Sequence, residues 1–94
     1  MTAAPSFIVK RGGVRVPFDE AKIFSALERA GAAAGEYDAA EATLLTAQVV
    51  KVLSHRHGSR PPHIEQIQDV AEQALISANH LRTARAYIVY REQH

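Results

Sequence analysis

The sequence predicts an α+β fold in which an N-terminal β-hairpin forms a cap packed on a four-helix bundle. Three observations carry this. Two β-rich runs flank the Gly12-Gly13 pair, Asp19 and Asp38 each precede an apolar stripe of helical period, and Gly58 with Pro61-Pro62 cuts the helical remainder in two. At 94 residues, with 47% hydrophobic and 22% charged residues, the chain fits one small domain.

The elements follow in order. Phe7–Arg11 and Val14–Phe18 read as strands, and two glycines between them signal a tight two-residue turn, because primed turns need positive φ. That register pairs Arg11 with Val14, Lys10 with Arg15, Val9 with Val16 and Phe7 with Phe18. It gathers Phe7, Val9, Val14, Val16 and Phe18 on one apolar face. Pro17 belongs at an edge or a strand end, since it cannot donate to a ladder. Asp19 caps the first helix, Phe18 and Ile23 stand at the spacing of a hydrophobic staple, and Gly31 or Gly35 ends it. Asp38 opens a second helix, with Glu41 at the spacing of a capping box and Leu44, Leu45, Val49, Val52 and Leu53 along it. A third helix starts near His63 and buries Ile64, Ile67, Val70, Ala71, Ala74 and Leu75. After a break at Asn79-His80, a fourth helix carries Ala84, Tyr87, Ile88 and Arg91, and keeps helical character to His94. A lone hairpin is marginal in water, so it must lie on the helices.

Composition excludes several functions. Without cysteine there is no disulfide scaffold, thiolate zinc site, iron–sulfur centre or cysteine nucleophile, and the absence fits a reducing, cytoplasmic setting. No tryptophan, three Tyr and three Phe give no stacking platform for single-stranded nucleic acid. No apolar run approaches a membrane span. There is no P-loop and no G-x-G-x-x-G. His55, His57 and His63 lack a completing carboxylate, so no metal site is assigned, and no catalytic constellation emerges.

The net charge of +1 hides an asymmetry. Residues 1–18 hold Lys10, Arg11 and Arg15 with no acid, and residues 42–64 hold Lys51, Arg56 and Arg60 with no acid. In the expected register Lys10 faces Arg15, which destabilises a hairpin, and Lys22 stands in a first helical turn, where the dipole disfavours cations. A polyanion among them would make all three placements favourable, and a helix start offers amide donors to phosphate. The same residues also read as solvated cations on an exposed hairpin, and spacing alone leaves both readings open.

At Ile8-Val9-Lys10-Arg11-Gly12-Gly13, Phe18-Asp19 and Lys22-Ile23, then at Ile67–Glu72 and Ala84–Glu92, the chain resembles an ATP-cone domain, over about residues 7–93. The resemblance implies a non-catalytic regulatory domain of residues 7–94 after a flexible leader of residues 1–6. It implies ATP or dATP as allosteric ligand, with Mg2+ as an optional companion of the triphosphate. Lys10 and Arg11 would take phosphate with Lys22. Val16, Pro17, Phe18, Asp19 and Lys22 would surround base and sugar with Ile23 behind them, and adenine would lie against Ile8 and Val9. The family often places a polar contact at the start of the third helix, where Ile64 stands here, leaving His63 or Gln68 to supply it. Such domains occur at the N-terminus of ribonucleotide reductase catalytic subunits and in a repressor of the reductase genes. The lack of any cysteine for a zinc ribbon favours the reductase. Implied partners are the reductase catalytic domain or subunit and, on nucleotide binding, further copies of the chain. The alternatives are a degenerate cone that binds no nucleotide, or a basic module for protein or nucleic acid using Arg15, Lys51, Arg56 and Arg60.

Overall fold

A computed structural model describes residues 4–93. Strands β1 (Phe7–Val9) and β2 (Arg15–Pro17) form a two-stranded antiparallel sheet, followed by α1 (Glu20–Ala34), α2 (Ala39–His57), α3 (Ile64–Ser77) and α4 (Leu81–Gln93). No helix of the described residues is long and apolar enough to cross a membrane.

The hairpin register differs by one residue from the expected one. Phe7 pairs with Pro17, Ile8 with Val16 and Val9 with Arg15. The connection is three residues long. The Lys10 amide donates to Val14 O at 2.8 Å, and the Gly13 amide closes a β-turn on Lys10 O at 3.0 Å. Gly12 takes φ 90° at the third turn position, and Gly13 stays at φ 89°, so one extra residue passes before the ladder resumes. Because side chains alternate, the slip turns β1 over while β2 keeps its expected face. Ile8 and Lys10, rather than Phe7 and Val9, now share the side of Val16 and Phe18. Phe7 is exposed on the outer side, with the Arg15 guanidinium 5.7 Å from its ring centroid. Lys10 and Arg15 therefore do not face each other, and the expected like-charge conflict is absent.

Val9 tethers the sheet to the helices instead of facing their core. Its amide donates to Pro62 O at 2.9 Å, and it bridges His63 in parallel. The Phe18 amide reaches Ser6 O at 2.9 Å, and Pro5 is buried, so the cap extends below Phe7. Of the expected leader, residues 1–3 lie outside the described residues, as does His94.

Local signals set the helix ends. The Asp19 carboxylate accepts the Ala21 amide at 3.0 Å, and the Asp38 carboxylate accepts the Ala40 amide at 3.1 Å. Gly35, at φ 68°, terminates α1, and its neighbour Glu36 donates an amide to Gly31 O. Gly58 closes α2, and Asn79 (φ 63°) makes the turn into α4. Glu41 does not close a capping box: its carboxylate lies 2.7 Å from His80 Nε2, joining the start of α2 to the start of α4.

Helix α1 packs beside α2 and α4, and α3 packs beside the same two. Leu27, Leu45, Val49, Leu53, Ile67, Val70 and Leu75 form the centre of the core, and Ile8, Phe18 and Ile23 pack on it from the hairpin side. Val14, expected on the apolar face of the hairpin, is exposed at the turn, as are Leu44 on α2 and Ile88 on α4. The start of α1, the start of α3 and the end of α4 are thus left around the underside of the sheet.

Candidate functional site

Between the sheet and those three helix ends lies a cavity of about 390 Å3. From the hairpin, Ile8, Lys10, Arg11, Val16 and Pro17 line it. Phe18, Asp19, Lys22, Ile23 and Ala26 line it from the start of α1, Ile64, Ile67 and Gln68 from α3, and Tyr87 and Tyr90 from α4. The expected site residues except Val9 border this one space, and of the two alternatives at the start of α3 it is Gln68, not His63, that does so. Val9 does not, because the register turns its side chain to the other face and its amide serves the Pro62 tether.

The cavity is graded from mouth to floor. Lys10, Arg11, Asp19 and Lys22 are exposed, whereas Ile67, Gln68 and Tyr87 are buried. Three cations therefore stand at the mouth against one carboxylate. That carboxylate is already engaged by the Ala21 amide as the α1 cap. Lys22 occupies the first turn of α1, where the helix dipole adds positive potential of its own. The convergence of Lys10 with Lys22 follows from the three-residue turn: a two-residue turn would aim Lys10 outward.

The floor is apolar with two polar exceptions. Burial pushes the Tyr87 hydroxyl up to about 12, so it is protonated at neutral pH and can both donate and accept. Gln68 is 8% exposed, and its Oε1 has no hydrogen-bond partner among the described residues. A buried carbonyl oxygen without a donor is destabilising, so this atom is suited to a ligand that brings one.

Sequence reasoning missed Ala26, Ile67, Tyr87 and Tyr90 as lining residues. The two tyrosines have ring centroids 6.1 Å apart, and their three-residue spacing reads as packing. The available signal was topological: α4 is the fourth of four helices joined by short turns, so its end returns to the hairpin. The cations of the rival surface lie elsewhere. Arg15 is on the outer sheet face, and Lys51, Arg56 and Arg60 are exposed around the end of α2.

The lining of this cavity, cationic at the mouth and apolar at the floor, suits a molecule anionic at one end and apolar at the other. The chain belongs to the ATP cone domain family, whose model matches residues 6–94. It is 35% identical over 94 residues to the ribonucleoside-diphosphate reductase subunit alpha of Chlamydia muridarum, covering 90% of this chain and 9% of that protein. It is 39% identical over 85 residues to the anaerobic ribonucleoside-triphosphate reductase of Salmonella typhimurium, covering 89% and 11%. With the vitamin B12-dependent ribonucleoside-diphosphate reductase of Thermoplasma acidophilum it shares 33% identity over 91 residues, covering 92% and 12%. The chain thus spans about a tenth of the length of these relatives.

Proposed function

We propose that the chain is a regulatory module that binds ATP or dATP in the cavity beneath the hairpin and controls a ribonucleotide reductase. The single observation that carries the nucleotide assignment is the grading of that cavity, cationic at the mouth and apolar at the floor, in a chain of this family. Lys10, Arg11 and Lys22 hold the triphosphate with the start of α1, Ile8, Val16 and Ile23 flank the base, and Asp19 faces the sugar. Mg2+ accompanies the triphosphate without a dedicated protein carboxylate. The hairpin caps a four-helix bundle in this reading, and residues 7–94 act as one unit in the cytoplasm.

The module is not the catalyst. Its relatives include reductases named for diphosphate and for triphosphate substrates, and one named for dependence on vitamin B12. A segment common to proteins so different in chemistry fits a role in control. ATP and dATP differ by one hydroxyl, so control requires that the two favour different arrangements of the module against the reductase or against a second copy.

Melting temperature tests the reading. A ligand selective for the native state at a hundred times its Kd adds about 2.7 kcal/mol, which is about 10–20 °C for a domain of this size. ATP and dATP should each produce such a rise, persisting at moderate salt. If the melting point is unmoved by either, the reading is wrong. Duplex DNA that binds without ATP and is released steeply by salt would instead support the basic-module alternative.

A further inference from the structure

We propose that Arg91 is a positioning residue for the cavity: it latches the last turn of α4 onto α3 and so holds the tyrosine wall in place for the nucleotide. This rests on the nucleotide reading above. Arg91 does not itself border the cavity, whereas Tyr87 and Tyr90, on the same stretch of α4, do. Its Nη1 donates to Asp69 Oδ1 at 2.8 Å and to Glu72 Oε1 at 3.2 Å, and its Nη2 to Glu65 O at 3.4 Å. Residues 65, 69 and 72 stand at i, i+4 and i+7, so one guanidinium grips about two turns of a single face of α3. The planar fork of arginine suits that span, and the point charge of a lysine does not.

Burial shows what the latch is for. Tyr87 is the last buried residue of α4. Among the described residues after it only Arg91 is not exposed, and Ile88 and Val89 turn outward. No buried side chain therefore pins this turn to the core. A helix of 13 residues is marginal by itself and frays from its ends, so the turn depends on the polar grip. The guanidinium also stands close behind the wall. Burial dominates the upward shift of the Tyr87 hydroxyl, and the Arg91 charge is the one influence that opposes it. The wall has a latched arrangement and a frayed one, and nucleotide binds the first. The apparent Kd is then the intrinsic Kd divided by the latched fraction, and bound nucleotide in turn favours the latch.

The experiment compares the 94-residue chain with Arg91→Met and Arg91→Lys, well below their melting points, by titration calorimetry with ATP and by amide hydrogen exchange. Arg91→Met should bind ATP about tenfold more weakly, as a latched fraction of about one tenth requires. Its amides at residues 88–93 should exchange faster than in the wild type while those around Leu27 and Leu45 do not, and saturating ATP should slow them again. Arg91→Lys, which keeps the charge but not the fork, should recover part of the affinity. A residue that only adds to overall stability would lower the melting point and leave both readouts unmoved. Should Arg91→Met fail to fold, Asp69→Asn combined with Glu72→Gln removes both carboxylates at nearly constant volume, with the same expectation. Affinity within about twofold of the wild type in a folded variant overturns the proposal and leaves the regulatory reading standing. So does exchange at residues 88–93 that does not change. A wild-type chain that binds no ATP defeats the regulatory reading, and this proposal with it.

Discussion

Lys10 and Arg15 are chemically similar, and a one-residue change of register separates their roles. The Lys10 side chain lines the cavity, while the Arg15 guanidinium lies over Phe7 on the outer face of the sheet. A hydrogen bond to a charged group contributes about 1.5–3 kcal/mol, or tenfold and more in affinity. Lys10→Ala should therefore weaken ATP binding about tenfold, and joint replacement of Lys10 and Arg11 by alanine at least that much, whereas Arg15→Ala should change it less than about twofold. Calorimetric titration of the three variants decides it. An Arg15→Ala loss equal to that of Lys10→Ala would restore the two-residue turn. The residue types of the site were legible in the sequence because clustered cations without acids need no structure to be noticed. Which side each one faces was not, since alternation converts a single uncertain turn residue into the opposite face for a whole strand.

Helix boundaries were legible for the converse reason: a cap or a terminator acts within a few residues. Asp19, Asp38 and Gly58 each do what their position suggests. The choice between Gly31 and Gly35 required tertiary structure. Gly35 takes the left-handed terminal conformation, while Gly31 is buried inside α1, where a Cβ would overlap the Tyr37 ring. That ring cannot easily yield. Its hydroxyl donates to Leu27 O at 2.5 Å, and its ring centroid lies 4.7 Å from that of His80, the two rings tilted by 56°. Alanine would improve helix propensity by about 1 kcal/mol, but overpacking costs about 1–3 kcal/mol, so Gly31→Ala should lower stability in urea unfolding. In a Tyr37→Ala background the same change should become stabilising, by about 1 kcal/mol, because only the propensity term remains. A Gly31→Ala protein more stable than the wild type would show that the ring moves aside at no cost.

Across the whole molecule, the cavity and the Glu36 joint occupy opposite ends of α1. Lys22, Ile23 and Ala26 begin α1 and line the cavity, and the far end of α1 leads into Glu36. There the Glu36 carboxylate accepts from the Thr83 hydroxyl and the Thr83 amide, each at 2.6 Å, with Arg82 Nε at 3.6 Å. The Thr83 hydroxyl is the main influence. Burial opposes it, the Thr83 and Arg82 amides and the Arg82 charge reinforce it, and together they hold Glu36 below the ordinary carboxylate value. A carboxylate lowered by folding stabilises the native state above its unfolded value, about 4.3, and that contribution is lost as pH falls through the folded value. Glu36→Gln should therefore melt below the wild type at neutral pH, and the two curves should converge as acid protonates Glu36. Parallel curves down to the acid limit would mean that Glu36 does not titrate against the fold. The variant also separates stability from binding. Sites without shared partners act additively, so the ATP-induced rise in melting temperature should be the same in Glu36→Gln as in the wild type. A rise abolished by a substitution at the far end would instead make the Glu36–Thr83 joint part of the nucleotide response, with α1 as the element that carries it.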